Sequence, residues 1–121
     1  MENRKILAVL EDLFFTVKIN ESAKRAGMPV AFLKSEKDVL DQAGAQPALI
    51  ILDLNFAGIE PLKLIEKLKA GAETKAINLI GYVSHVQADL KQQAQEAGCN
   101  MVLARSAFSQ NLPQILKRYS E

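Results

Sequence analysis

Pro47-Ala48-Leu49-Ile50-Ile51-Leu52-Asp53-Leu54-Asn55 is the stretch on which the fold turns. From Ala48 to Leu52 five apolar residues follow one another without a polar interruption, and then a carboxylate appears. A strand with one wet face alternates apolar and polar residues. A strand buried on both faces reads instead as a continuous apolar run. Pro47 before the run and the turn-like Asn55-Phe56-Ala57-Gly58 after it supply its boundaries. Burial on both faces belongs to the centre of a parallel sheet covered by helices. Open α/β sheets gather their ligands at the carboxyl ends of the strands, so Asp53 is the first candidate functional residue. The competing reading is a carboxylate that only caps the next turn.

Outward from this centre the same pattern repeats. Ile6-Leu7-Ala8-Val9-Leu10 is a second apolar run, and it ends in Glu11-Asp12, read either as candidate ligands or as a solvated acidic turn that caps the helix from Leu13. Leu13 to Ala26 reads as a helix. Phe15, Ile19, Ser22, Ala23 and Ala26 share one face, and Gly27 provides the stop. Pro29 to Leu33 reads as a strand. Ser35 and Asp38 form a capping signal for a short helix carrying Val39, Leu40 and Ala43. Glu60-Pro61 opens the next helix, with Pro in the first turn, where a missing N–H costs least. Ile77 to Val83 is a fourth strand. A helix from about Val86 shows Val86, Leu90, Ala94 and Ala97 on one side, ended by Gly98. Met101 to Ala104 is a fifth strand. A last helix is expected to start between Phe108 and Pro113 and to carry Leu112, Ile115, Leu116 and Tyr119.

Strand and helix therefore alternate five times. Right-handed crossovers then give a parallel sheet with helices on both faces, a three-layer doubly wound α/β architecture. At 121 residues, residues 1–121 are read as a single domain. Apolar residues make up 49% and charged residues 24%, as in ordinary globular proteins. The net charge of +1 comes from mixed signs, which gives nucleic-acid binding no electrostatic support. One Cys excludes an internal disulfide and fits a reducing compartment. No signal peptide or membrane span is visible, so a cytoplasmic protein without a membrane role is expected.

In a parallel sheet all strands end on one edge. That edge collects Glu11 and Asp12 after the first strand, Asp53 and Asn55 at the third, Ser84 and His85 after the fourth, and Arg105 after the fifth. Carboxylates crowded together repel, and a divalent cation or a basic side chain relieves them. Hard oxygen ligands suit Mg²⁺, whereas the planar fork of Arg suits carboxylate or phosphate. No spacing supports a nucleophile and base, so an enzyme is not expected.

With these residues in place, the chain resembles over nearly its whole length the receiver domain of two-component response regulators of the chemotaxis type. The resemblance implies a flavodoxin-like five-stranded sheet of order 2-1-3-4-5. It implies Asp53 as phosphoacceptor, with Arg105 and Ser84 as phosphate- or carboxylate-contacting groups. It implies a weakly held Mg²⁺ on Glu11, Asp12 and Asn55. Its partners would be proteins, a histidine kinase or a downstream effector, with the chain itself a monomer or weak homodimer. Gly98-Cys99-Asn100 and Arg105-Ser106 look like the family's Gly-Ala-Asp and Lys-Pro.

The departures are specific. Leu10 and Glu11 fall at the acidic-pair positions, with Asp12 one place late. The family's spacing counted from Asp53 lands on Val83, where a hydroxyl is usual, and on Arg105, where Lys is usual. Val102 stands where an aromatic usually swings inward. The expected function is an atypical stand-alone receiver in two-component signalling, acting through protein contacts. The alternatives are a docking module independent of phosphorylation and, less well supported, a flavodoxin-like small-ligand binder. Arg105 is expected to grip Asp53 through two parallel N–H···O bonds. Cys99 is expected in the core, and Tyr82 is either a core aromatic or, where it emerges near the sheet edge, a contact residue. Phe14 and Phe15 exceed what one helix face needs, so either both pack locally or one is exposed as a partner surface.

Overall fold

The computed structural model describes residues 5–84 and 87–120. His85 and Val86, both singled out above, lie outside the described residues. Five strands and five helices alternate: β1 (Ile6–Val9), α1 (Leu13–Ala26), β2 (Val30–Leu33), α2 (Glu36–Ala43), β3 (Leu49–Asp53), α3 (Pro61–Ala70), β4 (Asn78–Val83), α4 (Ala88–Ala97), β5 (Met101–Ala104) and α5 (Arg105–Ser120). The sheet order is β2-β1-β3-β4-β5, and every pairing is parallel. This is the expected order, with β3 at the centre.

The unbroken apolar runs explain the layering. Successive strand side chains face opposite ways. Leu7, Val9, Ile50 and Leu52 pack on one side with Val39, Ala43, Leu64, Ile65, Leu68 and Ala94 of α2, α3 and α4. Ile6, Ala8, Leu49 and Ile51 pack on the other with Phe15, Ile19 and Ala23 of α1 and with Phe108, Leu112 and Leu116 of α5. Leu49, Ile50, Ile51 and Leu52 are all fully buried. Each such side chain contributes roughly 1.5–3 kcal/mol by burial, so β3 anchors both layers.

Local signals set most boundaries. Asp12 caps α1, its side chain accepting the Phe14 N–H at 2.8 Å. Gly27 ends α1 in the left-handed region at φ 73°, a conformation that disfavours a side chain. Ser35 caps α2 by accepting the Asp38 N–H at 3.2 Å. One boundary departs from expectation. The last helix starts at Arg105, directly after β5, and Pro113 lies inside it. Phe108, Leu112, Ile115 and Leu116 are all buried, on both sides of Pro113. Burial of that continuous stripe outweighs the missing N–H, so the Pro is accommodated and not used as a start. This early start brings Arg105 to the sheet edge.

Candidate functional site at the carboxyl edge of the sheet

The carboxyl edge gathers Asp12, Asp53 and Arg105. Asp53 ends β3 and is only 7% exposed. Its Oδ1 accepts the Asn55 N–H at 2.9 Å, and its carbonyl accepts the Phe56 N–H at 3.1 Å. The β3–α3 turn is therefore built around this residue. Burial raises the Asp53 carboxyl above its ordinary value. The Asn55 N–H and the Arg105 charge oppose that rise, and Asp12 adds to it.

Arg105 does not grip Asp53. Its Nη2 donates to Asp12 Oδ2 at 2.5 Å. The physical reason is position: Asp12 presents a second carboxylate oxygen to the first residue of α5 while its other oxygen caps α1. The guanidinium also lies over the Phe15 ring, 4.8 Å from its centroid, and 5.8 Å from that of Tyr82. Burial alone would raise Asp12. The Arg105 bond and charge, with the Phe14 and Phe15 N–H groups, outweigh it and hold the carboxyl below its ordinary range. The bond to Asp12 correspondingly raises Arg105.

The other expected residues fall elsewhere. Leu10 is buried and offers no oxygen. Glu11 is exposed and has no hydrogen bond or ion pair among the described residues. Asn55 is committed to a latch between loops. Its Oδ1 accepts the Ser84 N–H at 3.2 Å, and its Nδ2 donates to Gln87 Oε1. Ser84 thus enters the site through its backbone, not its hydroxyl. Val83 is buried in the α2–α4 layer and brings no donor to Asp53. Among the described residues no three His, Cys, Asp or Glu side chains are placed to hold a metal ion. Of the residues expected to hold Mg²⁺, Asp12 is paired with Arg105 and the Asn55 side chain is engaged in the latch.

Two participants escaped the sequence reading of the site. Gln87 closes the latch, and the aromatic floor under Arg105 consists of Phe15 and Tyr82, both packed against Phe108. Tyr82 stacks on Phe108 at 4.9 Å and lies 4.7 Å from Phe15. Tyr82 is a core aromatic, and its cross-strand partner is Asp53. Register was the missing signal. Leu13, Phe14 and Val17 of α1, next to Asp12, are 80%, 60% and 56% exposed.

No protein-family model matches the sequence, and no curated protein matches it. Solved structures do match. A response regulator from Hahella chejuensis is 17% identical, with 96% of this chain and 94% of that chain covered at a TM-score of 0.84. A chemotaxis response regulator of Vibrio cholerae is 18% identical, with 98% and 99% covered at 0.82. The receiver domain of a sensor histidine kinase from Pseudomonas aeruginosa, solved with a magnesium ion coordinated in its active-site cleft, is 19% identical, with 98% of each chain covered at 0.80. The chain has the fold of response-regulator receiver domains. No helix among the described residues is long and apolar enough to cross a membrane.

Proposed function

We propose that this receiver-fold chain is a signalling module of the two-component type that acts through protein contacts, with Asp53 as its regulatory carboxylate. The observation that carries the reading is the Arg105–Asp12 bond at 2.5 Å beside Asp53. It fills the pocket with a resident cation and ties α5 to the cap of α1 before any modification of Asp53.

The surroundings support a module whose docking does not require phosphorylation of Asp53. Burial raises the Asp53 carboxyl above its ordinary value, and its Oδ1 is already engaged by the Asn55 N–H. Val83 offers no hydroxyl, and Asp12 is already engaged by Arg105. The contact surface is the exposed apolar end of α1, where Leu13, Phe14 and Val17 stand next to Asp12. Clustered exposed apolar side chains of this size mark protein contacts. The partner in this reading is a histidine kinase or a downstream effector.

The test is affinity capture with wild type, Asp53→Asn and Phe14→Glu, each with and without acetyl phosphate and Mg²⁺. The expected result is a partner retained equally by wild type and Asp53→Asn, indifferent to the phosphodonor, and lost at least about tenfold with Phe14→Glu. Binding that responds to the phosphodonor only when Asp53 is present would make the chain a phospho-switch and overturn this reading.

A further inference from the structure

Tyr82 is 0% exposed, and its hydroxyl is the one buried side-chain polar atom without a hydrogen-bond partner among the described residues. Buried hydroxyls are normally paired, because desolvation without a partner is unfavourable. Tyr82 and Asp53 are register partners on β4 and β3, so their side chains leave the same face of the sheet. The Asp53 carboxylate uses Oδ1 for the Asn55 N–H, and Oδ2 has no donor among the described residues. A donor without an acceptor and an acceptor without a donor thus stand on neighbouring strands. Burial pushes the Tyr82 phenol well above its ordinary value. The charges of Asp53 and then Asp12 push the same way, and Arg105 opposes them.

The ring of Tyr82 leads outward. It lies 4.7 Å from Phe15, and Phe15 meets Phe14 edge-on with centroids 5.1 Å apart. Phe14 is at the surface, and Arg105 caps Phe15 while holding Asp12. A continuous set of packed rings therefore joins Tyr82, the strand neighbour of Asp53, to the exposed end of α1.

We propose that Tyr82 and Asp53 form one hydrogen-bonded unit, closed through a single internal water, and that this unit couples the charge of Asp53 to the exposed end of α1 through the Phe15 and Phe14 rings. The inference rests on the reading of Asp53 as the regulatory carboxylate. Tyr82 acts here as a positioning residue: it sits beside Asp53 on the neighbouring strand and adjoins the rings that a partner meets.

The experiment is NMR on the isolated chain. A buried, hydrogen-bonded phenol proton exchanges slowly enough with water to give its own resonance. Wild type should show that resonance, and Tyr82→Phe should lose it. Asp53→Asn should shift it, together with the Phe14 and Phe15 ring signals. In a Tyr82→Phe background, Asp53→Asn should leave the Phe14 ring signals in place. Tyr82→Phe removes one oxygen and keeps the ring packing, and the hydroxyl signal in wild type and Asp53→Asn is an independent readout. A hydroxyl resonance that is absent in wild type or unmoved by Asp53→Asn overturns the proposal. So does a Phe14 shift that survives Tyr82→Phe. Because no partner is present, failure here leaves the docking reading standing.

Discussion

Asp12 carries two functions that substitution can separate. One carboxylate oxygen caps α1 by accepting the Phe14 N–H, and the other holds Arg105. Asp12→Asn keeps an oxygen for the cap but removes the charge. It is expected to cost about 1 kcal/mol, toward the low end for a charged hydrogen bond because the Arg105 side chain is 40% exposed. Asp12→Ala loses the cap as well and is expected to cost about 1 kcal/mol more. Urea unfolding of the two variants at neutral pH measures the difference. Equal losses would mean that the cap contributes nothing beyond the ion pair.

At the scale of the element, α5 contains a local conflict. Pro113 is exposed inside a helix of 16 residues and cannot supply the N–H that the Ser109 carbonyl would accept. The buried residues on either side hold the helix together regardless. Pro113→Ala should therefore stabilise the protein by roughly 1–2 kcal/mol. That figure is the helix-interior penalty of Pro, less the added freedom of the unfolded chain. Thermal unfolding followed by circular dichroism is the measurement. An unchanged or lowered melting temperature would show that α5 bends at this position to relieve the clash.

At the scale of the whole molecule, the two carboxylates give stability opposite dependences on pH. Asp53 binds its proton more tightly in the folded state than at its ordinary value of 3.8. Its contribution is fully present below that value and is lost as pH rises through the raised folded value. Asn cannot titrate, so Asp53→Asn should gain on wild type as pH rises through that window and then hold a constant advantage. An advantage of about 1 kcal/mol at neutral pH is expected, within the common range for single substitutions. Asp12 is held below 3.8, so its contribution is present above that value and is lost only as pH falls through the lowered one. The deficit of Asp12→Asn should accordingly be full at neutral pH and vanish in strong acid. Denaturant midpoints across the acid range test both, and matching slopes for the two variants would contradict the assignment.

The sequence by itself determined the parts that depend on neighbours along the chain. The run from Ala48 to Leu52 specified a doubly buried strand, because no polar residue interrupts it. Asp12 and Gly27 bounded α1, because capping and left-handed backbone are properties of a few adjacent residues. Parallel topology then placed Asp53 and Arg105 on one edge. Only the tertiary structure decided which carboxylate Arg105 holds. Asp12 and Asp53 are 41 positions apart in sequence and compete for one guanidinium. The outcome depends on where α5 starts, which the burial of Phe108 and Leu112 sets against the signal of Pro113. Tyr82 belongs with these. Its residue type marked it as core, but its place beside Asp53 follows from the register of β3 against β4, which packing across the sheet fixes and no local pattern encodes.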